Sequence, residues 1–275
     1  MKILAVSGGI DSVVMLHLLR DDPEVIVAHF DHGIRPNSKD DCEFVKQLAT
    51  NYGKPFFFER QELGEKCSEA TAREKRYEFL DRIAKEKGGQ IYVAHHADDI
   101  LESIAINILR GTGWRGLAPM TNKNIERPLA DWPKSKIYRY AAENNLNFRQ
   151  DQSNTEGDYL RNRVREQLRF ASNERKAQLL ELYEKQCNLK MEIDFILDGL
   201  ADKKRDPREL AKLEIAAELL RSIFLHSNIK LTRPQLDNCK KAILDFAPGK
   251  RFSLDRGHFL LIERYSFLVE NTQEC

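Results

Sequence analysis

An α/β fold is predicted for this chain: a parallel sheet of about five strands with helices on both faces, then a long linker helix and a small α+β C-terminal domain. Three observations carry it. Short apolar runs alternate with stretches of helical period through residue 170. The runs are continuous instead of alternating polar and apolar, as strands buried on both faces are. Beyond residue 170 the alternation gives way to one long polar helical stretch, then to a short segment of two helices and a few brief strands.

The elements follow in order. Lys2-Ile3-Leu4-Ala5-Val6 reads as the first strand and empties into Ser7-Gly8-Gly9-Ile10-Asp11-Ser12, after which residues 13–19 read as a helix. Residues 25–30 form a second apolar strand ending at Asp31-His32-Gly33, with a helix over residues 39–52 and a third strand over 56–59. Residues 68–87 have helical period, with Ala70, Ala72, Tyr77, Leu80 and Ile83 on one face, and Gly88-Gly89 stops them. Ile91-Tyr92-Val93-Ala94 is a fourth strand, and His95-His96-Ala97-Asp98-Asp99 opens a helix reaching Arg110. Such alternation implies right-handed crossovers and a parallel sheet. Residues 1–170 are thus expected to form the α/β sheet domain and 171–206 a linker helix with a charged, Pro-ended tail. Residues 207–275 are left for a small domain with helices over 209–225 and 234–246 and strands near 251–254, 258–263 and up to 269.

Composition narrows the class. No apolar run approaches the roughly 18 residues that span a bilayer, and a chain starting inside a strand leaves no room for a signal peptide, so a cytoplasmic protein with no membrane partner is expected. Cys42, Cys67, Cys187, Cys239 and Cys275 are widely spaced with no CxxC pair, which argues for free thiols. A net charge of +1 says nothing for or against nucleic acid. The local clusters Arg161, Arg163, Arg165, Arg169, Arg175 and Lys176, and Lys230, Arg233, Lys240, Lys241, Lys250 and Arg251, fit phosphate contacts and solvated helix faces equally well.

The loop at residues 7–12 has the chemistry of a phosphate cradle. Two glycines let backbone N–H groups approach an anion, Ser7 and Ser12 add hydroxyls, and the helix behind supplies its dipole. It lacks the spacing and Lys of a Walker A loop and the three glycines of a dinucleotide fingerprint. Asp31, Asp98, Asp99 and Glu102 leave the carboxyl ends of strands; Asp99 and Glu102 are three apart and share a helix face. Carboxylates beside a triphosphate suggest Mg²⁺, and beside an amine its orientation or deprotonation, while Asp98 also suits a helix N-cap. His95 and His96 point to opposite faces, so they do not make a zinc pair. Gly111-Thr112-Gly113-Trp114-Arg115-Gly116 follows a helix instead of a strand, so the dinucleotide reading fails on context; a loop closing over substrate, or Trp114 as a core anchor, fits better. Arg73 and Arg76 suit phosphate contact or ion pairs with nearby acids.

The run Ser-Gly-Gly-x-Asp-Ser resembles the pyrophosphate loop of the N-type ATP pyrophosphatases, which cleave ATP between its α and β phosphates. Several further segments stand in the order seen in the tRNA(Ile)-lysidine synthase family, which this sequence therefore resembles. They are Asp31-His32-Gly33-Ile34-Arg35, Ala72-Arg73-x-x-Arg76-Tyr77, Ala94-His95-His96-Ala97-Asp98-Asp99-x-x-Glu102, Arg110-Gly111-x-Gly113 with Gly116-Leu117, Arg127-Pro128-Leu129, Asp151-x-Ser153-Asn154 and Arg161-Asn162-x-Val164-Arg165. The match is dense over residues 1–170 and looser through Pro248-Gly249-Lys250.

The resemblance implies a Rossmann-like sheet and a ligase. ATP would adenylate C2 of cytidine 34 in the CAU anticodon of tRNA(Ile), releasing pyrophosphate, and free L-lysine would displace AMP. It implies that Ser7, Gly8, Gly9, Ile10, Asp11 and Ser12 bind ATP and that Asp11 and Asp31 assist Mg²⁺. Asp31, Arg73, Asp99 and Glu102 would be catalytic, Asp99 and Glu102 taking the lysine ammonium, while Arg161 and Arg165 hold tRNA. Ile100 and Ser103 stand where members carry Gln and Thr; neither change removes a charge. Fewer C-terminal residues imply fewer tRNA contacts. The alternatives are a tRNA thiolase using the same loop, disfavoured by the lack of a CxxC pair, and a non-catalytic RNA- or nucleotide-binding relative. Oligomeric state, a homodimer included, is left open.

Overall fold

A computed structural model describes residues 1–33, 38–62, 64, 67–122, 124–149, 159–201, 207–226, 229–245, 249, 251–254, 257–262 and 267–271. The Ile34-Arg35, Asp151-x-Ser153-Asn154 and Pro248/Lys250 parts of the motifs, and linker residues 202–206, lie outside them. Contacts divide the chain into two compact units, Met1–Gln186 and Cys187–Cys275.

The first unit is built on a five-stranded parallel sheet. Strands β1 (Lys2–Ala5), β2 (Val25–Asp31), β3 (Phe56–Arg60), β4 (Gln90–Tyr92) and β5 (Ile125–Glu126) stand in the order β3-β2-β1-β4-β5. Ile3 pairs with Ile26 on one side and Ile91 on the other. The apolar strands are buried on both faces, as their continuous runs require: Leu4, Val25 and Val27 enter one core with Val14, Val45, Leu129 and Ile137, and Ile3, Ile26 and Ile91 the other with Phe79, Leu80 and Ile83. The chain winds outward from β1 to β3, then returns to β4 on the opposite side of β1. That reversal opens a crevice at the carboxyl ends of β1 and β4, the position where such sheets bind ligands.

Helices α1 (Ile10–Leu18), α2 (Ser38–Asn51), α3 (Glu69–Lys87) and α4 (Ala97–Leu109) occupy the expected places. Ser68 caps α3 by accepting from Thr71 N at 3.1 Å, and Gly88, at φ 61°, ends it in the left-handed region. One boundary moves: α1 begins at Ile10, not Val13, because extended Gly9 serves as its N-cap and Ile10 is buried. Asp11 and Ser12 therefore sit in the first turn of the helix. Strand β5 and helices α5 (Lys134–Glu143) and α6 (Tyr159–Arg169) have no counterpart among the elements read from the sequence. Two residues are too few to show a strand period, and α5 buries only Ile137 and Ala141 in a polar stretch.

Helix α7 (Asn173–Ala201) runs through the division at Gln186. In the second unit, its end packs Leu197 against Leu210 and Leu219. The single helix expected over 209–225 is two, α8 (Pro207–Lys212) and α9 (Ala216–His226). A turn that leaves Leu213 and Ile215 more than a third exposed separates them and lets Leu210, Ala211, Leu219 and Leu220 all be buried. Helix α10 (Arg233–Asp245) and an antiparallel sheet of β6 (Arg251–Ser253), β7 (His258–Ile262) and β8 (Phe267–Asn271) complete the unit, with Phe224, Leu236, Ile243, Leu254 and Leu260 in its core. Among the described residues no helix is long and apolar enough to cross a membrane.

Candidate active site

The loop between β1 and α1 is tied chiefly by the Ser12 hydroxyl, with Ser7 Oγ accepting from Gly9 N at 3.4 Å. Ser12 Oγ accepts from Ser7 N and Gly8 N, each at 3.2 Å, and donates to Gly9 O at 2.8 Å. Gly8 sits at φ 91°, a conformation that side chains resist, and a Cβ there would meet Phe44 and Val45 at 3.4 Å. Its carbonyl accepts from Arg149 N at 2.9 Å. Loop and first turn are thereby held open-faced, with the N–H groups of Ile10, Asp11 and Ser12 in the turn that lacks i−4 carbonyls. Such a turn has the geometry that an anion site requires.

The carboxylates converge on this turn from the start of α4. His96, almost wholly buried, places Nε2 3.8 Å from Asp11 Oδ1 and 3.5 Å from Asp99 Oδ2, and Nδ1 3.9 Å from Asp98 Oδ2. One imidazole thus spans the phosphate loop and the acidic cluster. The capping roles are divided differently from expectation: Asp99 accepts from His96 N at 3.0 Å and so caps its own helix, whereas Asp98 accepts from Lys134 N at 2.7 Å and caps α5. Burial raises the Asp99 pKa, and the negative charges of Glu102 and Asp11 raise it further, against the opposing pull of His96. Asp99 is therefore suited to taking a proton from an incoming ammonium.

Glu102 is 3% exposed and clasped by arginine. Arg165 Nε and Nη2 donate to its two carboxylate oxygens at 2.7 and 3.1 Å, and Arg161 Nε lies 3.7 Å from Oε2. Both arginines, expected as tRNA contacts, are brought onto this carboxylate by α6. Arg73 lies apart from the cluster. Its guanidinium stacks over Tyr77 at 5.1 Å, with Arg76 over the same ring at 5.6 Å. Burial and the positive charges of Arg73, Arg76 and Arg127 push the His95 pKa down to about 3. The two adjacent histidines therefore serve different neighbourhoods, His96 among carboxylates and His95 among guanidiniums.

Asp31 ends β2 with a buried carboxylate. Oδ1 accepts from Gly33 N at 2.8 Å; Oδ2 has Arg60 Nη1 at 3.6 Å and no hydrogen-bond donor. Gly33 is required there, since at φ 64° a Cβ would lie 2.9 Å from Glu62 Cα. A buried carboxylate oxygen left without a donor fits a hard cation. Among the described residues no group of three or more His, Cys, Asp or Glu side chains could hold a metal. One or two carboxylates completed by phosphate and water is how Mg²⁺ is commonly bound, so the residues fit Mg²⁺ travelling with a nucleotide.

Lys134 escaped the sequence reading, and Lys176, read there only as part of a basic cluster, is found beside a carboxylate. Lys134 donates from Nζ to Asp11 Oδ1 at 2.5 Å, and Lys176 Nζ lies 3.8 Å from Asp98 Oδ1. Pro133-Lys134 as a helix start after Arg127-Pro128-Leu129 was the available signal. The Trp114–Leu117 segment forms a 3-10 turn anchored by Asn107 Nδ2 to Gly116 O at 2.8 Å and by Gln186 Nε2 to Trp114 O at 3.3 Å.

A family profile described as the PP-loop domain matches residues 2–171. The tRNA(Ile)-lysidine synthase of Thermotoga maritima is 37% identical over 180 residues, 60% of this chain and 44% of that protein. That of Geobacter sulfurreducens is 37% identical over 182 residues, 60% of this chain and 39% of that protein. The bifunctional protein TilS/HprT of Listeria monocytogenes is 35% identical over 184 residues, covering 60% and 28%. The matched stretch thus spans less than half the length of these curated relatives. Among solved structures, the U34-tRNA thiolase NcsA of Methanococcus maripaludis, with its 4Fe-4S cluster, superposes with a TM-score of 0.58 at 17% identity over 68% of this chain and 71% of that one, which shows a shared fold.

Proposed function

The chain belongs to the PP-loop domain family, and from that premise we propose that it is a cytoplasmic ligase joining free L-lysine to C2 of cytidine 34 in the CAU anticodon of tRNA(Ile) at the expense of ATP. One observation carries the reading. The carboxylate suited to an ammonium, Asp99, stands within one imidazole of the phosphate loop: His96 lies 3.8 Å from Asp11 and 3.5 Å from Asp99. A nucleotide and an amine would therefore meet across a few ångströms. Relatives named for this reaction and 35–37% identical over the same stretch support it.

The chemistry proceeds in two displacements. The C2 oxygen of cytidine attacks the α-phosphorus of ATP, and pyrophosphate leaves into the loop at residues 7–12, where helix N–H groups stabilise the developing charge. Mg²⁺, held by Asp31 and Asp11, would supply further charge neutralisation. The ε-amine of lysine then adds to C2, and AMP leaves with the former C2 oxygen. Free lysine arrives protonated, so Asp99 orients the ammonium and accepts its proton, and Glu102 fixes its place beside Arg165. Arg73 neutralises phosphate near the activated base, and Arg161 engages tRNA from α6 while Arg165 holds Glu102 in place. Residues 207–275 would add tRNA contacts.

A thiolase reading is disfavoured by the lack of a CxxC pair in the sequence. Burial raises the thiol pKa of Cys42, and that of Cys239 to about 11, so both stay protonated and poorly nucleophilic. The proposal is tested with α-labelled ATP and tRNA(Ile). Label is expected to accumulate on the tRNA without lysine and to be released as AMP when lysine is added. Release indifferent to lysine would refute it.

A further inference from the structure

Lys134 is fixed at both ends. Its backbone N–H donates to Asp98 at 2.7 Å and its ammonium to Asp11 at 2.5 Å. Asp98 stands in the first turn of α4, Asp11 in the first turn of α1, and Lys134 itself opens α5. One residue thereby joins the N-termini of three helices, each presenting the positive end of its dipole. Such a point favours an anion larger than one carboxylate. The Lys134 and Asp11 side chains are still 33% and 31% exposed, so a ligand from solvent can reach both.

The pairing is at odds with Asp11 serving at the same time as a metal ligand. A divalent cation on Asp11 Oδ1 would stand close to the like-charged Lys134 ammonium. A phosphate group removes the conflict, because its oxygens accept from the ammonium on one side and bind the metal on the other. Asp31, with Oδ2 free of any hydrogen-bond donor, carries no such obstacle.

Resting on the ATP reading of this site, we propose that Lys134 is a phosphate-binding residue that changes partner. Asp11 holds its ammonium when no nucleotide is bound; on entry of a nucleoside triphosphate the ammonium moves to a phosphate oxygen and frees Asp11 for the accompanying metal. No bond is made or broken in this step. The α5 backbone, held by Asp98, stays in place while the flexible Lys134 side chain swings.

Mn²⁺ serves as the spectroscopic probe, titrated into the full chain without nucleotide and followed by loss of the free-ion paramagnetic resonance signal. Lys134→Met is expected to gain a binding site that wild type lacks and that is lost again in Lys134→Met/Asp11→Asn. The same variant is expected to bind ATP about tenfold or more weakly, the range of a lost charge-assisted hydrogen bond. Lys134→Arg, which keeps the charge, is expected to show no Mn²⁺ site beyond those of wild type and guards against misfolding as the cause. Mn²⁺ binding by Lys134→Met equal to wild type, or undiminished ATP affinity, would overturn the proposal. Neither readout involves lysine or tRNA, so a failure of the ligase reading would be seen separately, as absent lysine transfer by the wild-type protein.

Discussion

Asp99 has two duties with opposite demands on its proton. As a helix cap it accepts from His96 N and is served by ionisation, whereas burial and the nearby charges of Glu102 and Asp11 favour its protonated form. The raised pKa means that the folded state binds the proton more tightly than the unfolded state does. Stability associated with this group is therefore fully present at low pH and declines as pH rises through the range above an ordinary Asp. Asp99→Asn keeps an oxygen for the cap and abolishes the titration. It is expected to raise the thermal midpoint at neutral pH while lowering lysine transfer at least a hundredfold, the scale of a lost proton acceptor. Calorimetry beside a transfer assay checks both; a variant that is neither more stable nor slower would contradict the role. His95 works in the other direction. With its pKa near 3 it stays neutral in the fold but charges in the unfolded chain below about 6.5, so stability is lost as pH falls from 6.5 toward 3. His95→Gln is expected to flatten that limb of the pH–stability curve, measured by urea denaturation at a series of pH values.

The elements matter because they carry these side chains to one edge of the sheet. Helix α6 docks on α4 through Val164 and through the Arg165–Glu102 pair, and Glu102 is far more buried than its partner. Arg165→Ala leaves that carboxylate without its two-pronged donor and is expected to cost about 2 kcal/mol of stability. Arg161→Ala removes a longer contact and is expected mainly to weaken tRNA binding. Filter binding and thermal melts on both variants separate the effects, and equal melting with equal tRNA affinity would contradict the assignment. At the phosphate loop, Gly8→Ala forces a side chain into the left-handed region at φ 91°, a strain of about 1–2 kcal/mol, and is expected to weaken ATP binding with it. Four strands were legible because each carries a short apolar run between polar, Gly or Pro residues, and α3 because Gly88 ends it. Strand β5 was not, being two residues long, and α5 and α6 were masked by polar faces that bury one or two residues each.

In the molecule as a whole, the reversal of strand order at β1 and β4 turns motifs far apart in sequence into one site. Local chemistry made Asp31, Asp99 and Glu102 legible, since each lies at or just beyond the end of an apolar run. Partners were not legible: Lys134 meets Asp11 across 123 residues and Arg165 meets Glu102 across 63, and no local pattern encodes such pairs. The same distances explain why Arg165 read as an RNA contact alone. With a net charge of only +1, the proposed tRNA affinity would come from local arginine clusters instead of a general field. Each phosphate contact made by a cluster adds about 0.7–0.9 to the slope of log affinity against log salt, so Arg161→Ala is expected to reduce that slope by up to about one contact. The most direct test of the whole is to incubate the full chain with tRNA(Ile), Mg²⁺-ATP and isotopically labelled lysine, then digest the RNA and analyse the nucleoside at position 34 by mass spectrometry. The expected product is cytidine enlarged by one lysine less one water, formed only with ATP. A 2-thio nucleoside formed with a sulfur donor, or an unmodified cytidine after ATP has been consumed, would contradict it.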